Sequence, residues 1–270
     1  MAKIKVGVFG GARGRATMRY LLKNKDAELV AICDKFAPAL ERCRKQAEES
    51  GINVSLFTDF DKFLECDMDA IVLANYANEH APYAIKCMAA GKNVMSEVLT
   101  CATMKEAVEL IEAVEKYKKL YYYAENFCYS PAKTEMRRRY LAGDIGELIY
   151  AEGEYVHDLT PNWHQITYGD KNHWRNTMPS TYYSTHSLGP ILYATGLRPV
   201  SVTAFETPNT PRMEALGMTA ASNSLQIVTL ENGAIVKNLC GVGVKPSSHH
   251  FRINGQIGCV REIDPDHVNV

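Results

Sequence analysis

The sequence has almost no excess of either charge: 30 basic and 31 acidic side chains leave a formal net charge of -1 over 270 residues. A chain without a basic excess lacks the attraction that nucleic acids and anionic membrane surfaces exert, so neither partner is expected. It has no stretch that approaches the roughly 18 continuous apolar residues of a membrane span. Its N-terminus shows no signal-type apolar region, and we expect a cytoplasmic protein.

Paired cysteines are also missing. None of the eight cysteines forms a C-x-x-C pair, and most lie in apolar runs, which favours free buried thiols over a disulfide framework or a zinc site. The histidines His164, His173 and His186 invite a metal site, but their spacing matches no defensible set of ligands. No metal is expected.

What is present begins with a strand, a glycine-rich turn and a helix. The strand covers 3–9, the turn holds Gly10, Gly11, Ala12, Arg13 and Gly14, and the helix follows from about residue 16. Glycines let the backbone approach a pyrophosphate, which the N–H groups of the turn and helix then bind. The turn is irregular, because a G-x-G-x-x-G pattern counted from Gly10 has Ala12 in its second glycine slot.

Asp34 ends the second strand, which covers 27–33. A dinucleotide-binding βαβ unit places at this point, roughly 20 residues beyond the turn, the acid that binds a ribose 2'-hydroxyl. The turn alone could be purely structural, and Asp34 alone could cap a strand end. Together they predict an enzyme with a nicotinamide cofactor.

The pattern of strands and helices changes along the chain. Residues 1–125 alternate strands with helices, which predicts an α/β domain with a doubly wound parallel sheet of the Rossmann type. Residues 126–270 are dominated by strands, with helices near 131–142 and 181–195, and predict an α+β domain on a large, mostly antiparallel sheet. The sequence stops at what looks like the start of a strand, so we expect this second domain to lack its last elements.

Several blocks in order resemble the glucose-fructose oxidoreductase / inositol dehydrogenase / rhizopine catabolism (Gfo/Idh/MocA) family. They are 6–10, 75–80, 91–97 and Asn126 at the domain junction. The resemblance implies a Rossmann domain followed by a domain with a mostly antiparallel sheet. Most family members follow the glutamate with a lysine that serves near the substrate hydroxyl. Here Val98 follows Glu97, so that lysine is absent.

The second half resembles the branch that contains the NAD-dependent glycosidases of glycoside hydrolase family 109. The motifs are Glu125-Asn126, His157-Asp158-Leu159, Trp174-Arg175 and the stretch 182–190. In those relatives the resemblance implies that a sugar hydroxyl is oxidised, the aglycone is eliminated, water adds and the keto group is reduced again. The family's aspartate and histidine appear here as Tyr182 and His186.

His186 and Tyr182 are the predicted catalytic residues. Side chains four apart on one helix share a face, so both can point into one cleft. Histidine near its ordinary pKa of about 6.5 can accept a hydroxyl proton while hydride leaves, and a neighbouring tyrosine can donate or relay one. The alternative is a helix face buried on the sheet, with the histidine hydrogen-bonded for structural reasons only.

The remaining candidates fall into two groups. The predicted cofactor-binding residues are Gly10, Gly11, Ala12, Arg13, Gly14, Asp34, Asn75, Tyr76, His80, Glu97 and Asn126. The predicted substrate-binding residues are His157, Trp174, Arg175 and Tyr183. Glu97 could instead cap a helix, His80 could be a capping or surface residue, Trp174-Arg175 could only pin its loop, and His157 could be inert.

The sequence thus predicts an NAD-dependent oxidoreductase acting on a sugar, a glycoside or a cyclitol. A glycosidase that uses NAD catalytically and a silent NAD-binding regulatory protein are the alternatives. NAD is preferred to NADP because Asp34 would repel a 2'-phosphate, although Lys35, Arg13 and Arg15 offer positive charge nearby. The resemblance implies a homo-oligomer, either a dimer or a tetramer, because members of the family usually associate. Alternate positions of one strand also provide a surface that needs covering, namely Leu225, Ile227 and Thr229.

Overall fold

The computed structural model describes residues 2–270, which form two compact units that divide between Ala124 and Glu125. The first unit is a six-stranded sheet in the order β3-β2-β1-β4-β5-β6, and every neighbouring pair is parallel. Its strands are β1 (Ile4–Phe9), β2 (Ala27–Cys33), β3 (Ser55–Phe57), β4 (Ala70–Leu73), β5 (Asn93–Ser96) and β6 (Tyr121–Tyr123). Its helices are α1 (Arg15–Leu21), α2 (Ala37–Glu49), α3 (Phe60–Leu64), α4 (His80–Ala89) and α5 (Met104–Tyr117).

Both faces of this sheet are covered, as a parallel sheet requires. One face packs a cluster that includes Phe9, Phe63 and Leu73, and the other packs a cluster that includes Val8 and Met18. Alternate residues of β1 therefore supply the two cores. The predicted doubly wound Rossmann arrangement is confirmed.

The second unit contains a seven-stranded sheet in the order β13-β12-β11-β7-β10-β9-β8. All neighbours are antiparallel except β10 and β7, which are parallel, so the predicted mostly antiparallel sheet is confirmed. Its strands are β7 (Leu148–Val156), β8 (Pro199–Glu206), β9 (Asn223–Leu230), β10 (Ile235–Gly241), β11 (Ser248–Gly255), β12 (Cys259–Asp264) and β13 (His267–Asn269). Its helices are α6 (Pro131–Leu141), α7 (Trp163–Ile166), α8 (Ser184–Thr195) and α9 (Pro211–Ala215).

The structure corrects one local prediction for this unit and defines two further local features. The helix expected over 181–195 begins only at Ser184, because Ser180–Tyr183 form a 3-10 turn. The hairpin between β9 and β10 forms as its Asn-Gly pair indicates. Gly233 has a positive φ of 85° but Asn232 does not, so the turn is not of the type with two such residues. β13 forms at the end of the chain, where the sequence predicts the start of a strand, whereas β12 has no counterpart among the predicted strands.

None of the helices formed by residues 2–270 is long and apolar enough to cross a membrane.

Gly153 fixes how closely α8 approaches the second sheet. A Cβ at Gly153 would lie 2.1 Å from the carbonyl oxygen of Ser187, a distance that real side chains do not tolerate. The core below this contact contains Ile191, Ala151 and Phe251. Because Gly153 has no side chain, the backbone of α8 can pack directly against β7 at this position.

We expect Gly153→Ala to lower the free energy of unfolding by about 1–3 kcal/mol, because α8 must move away from β7. Urea denaturation followed by circular dichroism measures the change. Ser201→Ala on the exposed strand β8 is the control and should leave stability within about 0.5 kcal/mol of the parent. An unchanged midpoint for Gly153→Ala would contradict the close approach.

Candidate functional site

The glycine-rich turn between β1 and α1 is drawn tightly over the strand ends. Gly10 has a φ of +101°, and a Cβ there would lie 2.2 Å from the carbonyl oxygen of Ala74. A Cβ on Gly14 would lie 2.5 Å from the Val8 side chain. These two glycines are therefore required by backbone conformation and packing.

The turn presents backbone donors. Within the described part of the chain, the N–H groups of Gly11 and Arg13 have no hydrogen-bond partner. Unpaired N–H groups on a turn with little side-chain bulk form the kind of concavity that binds phosphate oxygens. The residues present thus fit the pyrophosphate of a dinucleotide.

Asp34 lies beside this turn and keeps the capacity to accept further hydrogen bonds. Its Oδ1 accepts the N–H of Phe36 at 2.9 Å, while the N–H of Ala12 is 3.4 Å from Oδ2, near the limit of a hydrogen bond. Among residues 2–270, no cation lies within 4.0 Å of this carboxylate. The arrangement fits recognition of ribose hydroxyls.

Two of the cations that could attract a 2'-phosphate already have acidic partners. Arg13 Nη2 is 3.1 Å from Glu97 Oε2, and Lys35 Nζ is 3.8 Å from Glu79 Oε1. Arg15 instead lies 3.4 Å from the side-chain oxygen of Gln46. This pairing weakens the attraction for a 2'-phosphate and agrees with a preference for NAD.

The other predicted cofactor residues are placed as follows. Asn75 follows β4, and its amide lies 3.4 Å from the carboxylate of Glu79. Tyr76 is exposed immediately after it. Asn126 is exposed at the start of a 3-10 turn in the second unit. Their cofactor contacts stay predictions.

His80 is not a surface residue, so that alternative for it is wrong. It is 1% exposed at the start of α4, and its Nδ1 lies 2.7 Å from the carbonyl oxygen of Leu99. A carbonyl only accepts, so Nδ1 carries the hydrogen. Burial lowers the pKa of His80, and its Nε2 has no partner among the described residues. Through this hydrogen bond to Leu99, the neutral ring holds the segment that follows β5.

In the second unit, a buried carboxylate holds His186. Glu125 Oε1 lies 2.7 Å from His186 Nδ1, and both side chains are less than a tenth exposed. The same oxygen accepts the N–H of Phe127 at 2.9 Å, and Oε2 accepts the hydroxyl of Thr185 at 2.9 Å. An ionised carboxylate only accepts, so Nδ1 carries the hydrogen and Nε2 keeps its lone pair.

Tyr155 of β7 and His157, which directly follows the strand, form a second polar pair beside His186. Tyr155 and His157 follow Gly153 on the same face of the strand, since alternate residues point the same way. The Tyr155 hydroxyl lies 2.9 Å from His157 Nδ1, and the Tyr155 ring is centred 4.7 Å from that of His186. Burial lowers the pKa of His157, which favours its neutral form.

Aromatic rings complete this group, which we call the imidazole cluster: His186, His157, His249, Tyr155, Tyr183 and Phe127. His249 on β11 lies opposite Tyr155 in the strand register, and their rings stack with centroids 5.1 Å apart. The Phe127 ring is centred 5.0 Å from that of His186. No group of three potential metal ligands suited to an ion occurs within residues 2–270.

Arg175 and Trp174 join the cluster through Tyr183. Arg175 Nη1 donates to the Tyr183 hydroxyl at 2.6 Å, and its guanidinium lies 4.6 Å from the centre of the Trp174 ring. The Tyr183 ring is centred 6.0 Å from His186. Of these three predicted substrate residues, Tyr183 lies beside the predicted catalytic histidine, and Arg175 and Trp174 are connected to it through Tyr183.

Tyr182 does not share an α-helical face with His186 in the way we expected. It lies in the 3-10 turn that precedes α8, where the four-residue spacing of an α-helix does not apply. Tyr183, which was assigned only to substrate binding, is the tyrosine whose ring approaches His186.

Four residues of the imidazole cluster and its surroundings were not predicted from the sequence as site residues: Glu125, Tyr155, Phe127 and His249. Tyr155 carried a usable signal, because it lies two residues before His157 on a predicted strand and so on the same face. Glu125 appeared only as part of a motif with Asn126. His249 carried no signal, since its place opposite Tyr155 depends on long-range strand pairing.

The imidazole cluster can perform acid–base chemistry. His186 Nε2 can accept a proton, and the Glu125 carboxylate stabilises the imidazolium that results. The Tyr155–His157 pair can move a second proton independently. The Glu125–His186 and Tyr155–His157 pairs are the groups of the site that can transfer protons. The aromatic rings line the site with apolar surface that suits the faces of a sugar or cyclitol ring.

Residues 4–125 match the model of the GFO_IDH_MocA family, described as an oxidoreductase family with an NAD-binding Rossmann fold. The first unit therefore matches the NAD-binding Rossmann fold of this family, and the predicted resemblance is confirmed.

About seven tenths of the chain is similar to glycosyl hydrolase family 109 proteins. It is 30% identical over 207 residues to protein 5 of Phocaeicola vulgatus and 29% identical over 203 residues to protein 2 of Shewanella sp. strain ANA-3. These alignments cover 72% and 71% of this chain. The chain spans only 40% and 44% of those relatives.

Inositol dehydrogenases have the same fold. The scyllo-inositol dehydrogenase of Lactobacillus casei, solved with NAD(H) and scyllo-inositol, aligns with a TM-score of 0.81 at 18% identity over 97% of this chain and 76% of that one. The myo-inositol 2-dehydrogenase of Lactobacillus plantarum aligns with a TM-score of 0.80 at 19% identity, over 96% and 76%.

Replacing Asp34 should change the choice of cofactor. We expect Asp34→Asn to weaken NAD binding by about 10- to 100-fold, because charge-assisted hydrogen bonds to the ribose are lost. NADP binding should improve, because repulsion of the 2'-phosphate disappears. Titration calorimetry measures both affinities, with Asp26→Asn before β2 as the control. Tighter binding of NADP than of NAD by the parent protein would contradict the assignment.

Proposed function

We propose that the protein is an NAD-dependent oxidoreductase that transfers hydride between the nicotinamide and a CH–OH group of a sugar, a glycoside or a cyclitol. The observation that carries the proposal is the buried Glu125–His186 pair, which leaves Nε2 available to a substrate hydroxyl. The NAD-binding Rossmann domain in the same chain supplies the matching redox partner.

The chain's own residues handle the proton. His186 Nε2 accepts the hydroxyl proton, and Glu125 holds Nδ1–H and stabilises the positive charge on the ring. Thr185 and the backbone of Phe127 fix both oxygens of Glu125, so the pair keeps its orientation without help from solvent. Bound NAD supplies the acceptor for the hydride.

The comparisons support a polyhydroxylated small molecule as substrate. The neighbours of the same fold include dehydrogenases of inositols, and the relatives found by sequence are named as glycosyl hydrolases. The stacked rings of Tyr155 and Tyr183, centred 6.0 Å apart, suit contact with the apolar face of such a ring compound.

A redox-assisted glycosidase is the second candidate. Oxidation, elimination, hydration and reduction require proton transfer at more than one substrate atom, whereas simple oxidation requires one base. The Tyr155–His157 hydrogen bond gives the cluster a second proton-carrying pair, which favours this candidate. Val98 in place of the usual lysine is consistent with proton chemistry carried by the second unit.

One experiment separates the candidates. The purified protein is incubated with a panel of sugars, cyclitols and glycosides, with and without added NAD, while reduced nicotinamide absorbance and released sugar are both recorded. Reduction of added NAD supports the dehydrogenase. Sugar release without net reduction supports the glycosidase. NAD binding with neither signal across the panel indicates a silent regulatory protein.

We expect His186→Gln to reduce turnover by about two to four decades, the size of a general acid–base contribution. NAD affinity should hardly change, because the residues of the dinucleotide turn belong to the first unit. Steady-state kinetics on a substrate of the parent protein, together with NAD titration, test this. His164→Gln, at an exposed position of α7, is the control. Retained turnover would make His186 structural, and lost NAD binding would assign it to the cofactor.

We also propose that the protein is a homo-oligomer. Leu225, Ile227 and Thr229 on β9 are partly exposed, and the neighbouring strand β8 is exposed along its whole length, with Phe205 62% accessible. Such an apolar sheet face favours self-association. Sedimentation velocity at micromolar concentration should show a dimer or tetramer, and Ile227→Lys should shift it toward monomer, with Glu231→Lys as the control. A monomeric parent would contradict this.

A further inference from the structure

Arg175 is a half-buried cation without a counter-ion. Among residues 2–270, no carboxylate lies within 4.0 Å of its guanidinium, although Arg198 and Arg212 of the same unit are each paired with an acid. Its one side-chain hydrogen bond goes to the uncharged hydroxyl of Tyr183, which leaves other N–H donors available. A partly desolvated cation gains most from a ligand that brings the missing negative charge.

The guanidinium is also held in place rather than mobile. It lies on the Trp174 ring at 4.6 Å and donates to Tyr183 at 2.6 Å, so both its plane and one edge are fixed. An arginine that is already oriented loses little conformational entropy when it binds a carboxylate.

The backbone that carries Arg175 is fixed by its neighbour Asn176. Asn176 is 1% exposed, and its Oδ1 accepts the indole N–H of fully buried Trp163 at 2.9 Å. Its amide nitrogen donates to the carbonyl oxygens of Asp170 and Lys171, at 3.0 and 3.1 Å. Every polar group of this side chain is used, so the loop has one well-defined conformation.

Tyr183 connects this fixed cation to His186. Tyr183 accepts from Arg175, and its ring is centred 6.0 Å from that of His186. A ring compound whose hydroxyl meets His186 could therefore direct another substituent at Arg175. Such a substrate would place a hydroxyl at His186, where it gives up its proton, and a negatively charged group at Arg175.

We propose that Arg175 binds a carboxylate of the substrate, so that the compounds acted on are sugar acids such as uronates and their glycosides. This inference rests on the proposed function and narrows its substrate class. Trp174 and Tyr183 orient the cation, and Asn176 is the positioning residue of the loop. A neutral sugar would leave the Arg175 charge unpaired.

Matched ligands test the proposal by binding alone. Methyl glucuronoside and methyl glucoside differ only in the carboxylate, and calorimetry with saturating NAD at pH 7 measures both affinities. We expect at least tenfold tighter binding of the glucuronoside, with the preference declining as salt is raised. Methyl galacturonoside and methyl galactoside repeat the comparison with the other hydroxyl configuration.

Variants identify the cation responsible. Arg175→Gln should abolish the preference, and Arg175→Lys should keep part of it because charge remains while the planar fork is lost. Arg198→Gln, an exposed arginine already paired with Glu231, is the matched control and should keep the full preference. Thermal melting of each variant shows whether the unit stays folded.

Asn176→Ala should weaken binding of the glucuronoside more than that of the glucoside, because the misplaced cation serves only the acid. A variant that merely loosened the unit would weaken both equally, which would contradict the positioning role. Asn172→Ala, exposed in the same loop, should change neither affinity.

The outcomes distinguish this inference from the proposed function. Uronosides that bind through Arg175 without being oxidised or cleaved would support the inference and overturn the proposed function. Turnover of neutral sugars with equal or tighter binding of the glucoside would do the reverse. Tightest binding of a neutral N-acetylhexosaminide, or a uronoside preference that survives in Arg175→Gln, would also overturn the carboxylate assignment.

Discussion

The close approach of α8 to β7 at Gly153 is the constraint on which the second unit depends. Only a residue without a side chain lets the carbonyl of Ser187 lie so near the strand. His186 precedes that contact by one residue, so the same approach that packs the core also brings the imidazole beside Tyr155. Packing and chemistry therefore share one feature, and a change that loosens the core must also displace the histidine.

Burial of Glu125 has a cost that its neighbours offset. A carboxylate removed from water is unfavourable unless its oxygens accept hydrogen bonds, and here a backbone N–H, a hydroxyl and an imidazole supply them. In the proposed reaction, the carboxylate held in this way would stabilise the imidazolium that forms when His186 accepts a proton. Burial of the Glu125 carboxylate therefore costs stability, and the same carboxylate serves the proposed proton chemistry of the site.

Local patterns explain what the sequence could predict. The turn from Gly10 to Gly14, the strand ending in Asp34 and the alternation of strands and helices are all written within about 30 consecutive residues, and the Rossmann unit followed from them. The Asn-Gly hairpin before β10 was equally local. Only Gly233 of that pair has a positive φ, and the Asn232 side chain donates to the carbonyl of Leu148, outside the turn.

Long-range pairing explains what it could not. His249 meets Tyr155 only because β11 pairs with β7, nearly one hundred residues earlier in the chain, and no spacing in the sequence encodes that register. Glu125 contacts His186 although the two lie in distant segments of the chain. Helix α8 begins later than predicted because Ser180–Tyr183 form a 3-10 turn. The residue types were visible, but the partner of each was not.

The distribution of charge within the second unit ties these observations together. Glu125 supplies a buried carboxylate to the imidazole cluster, burial lowers the pKa of His157, and Arg175 adds a guanidinium that no carboxylate among residues 2–270 approaches within 4.0 Å. Under the carboxylate proposal, such a site would favour an acid over a neutral ring compound. Because each of these charges is held by hydrogen bonds from separate segments, the complementarity exists before any ligand arrives, which is the condition for selective binding.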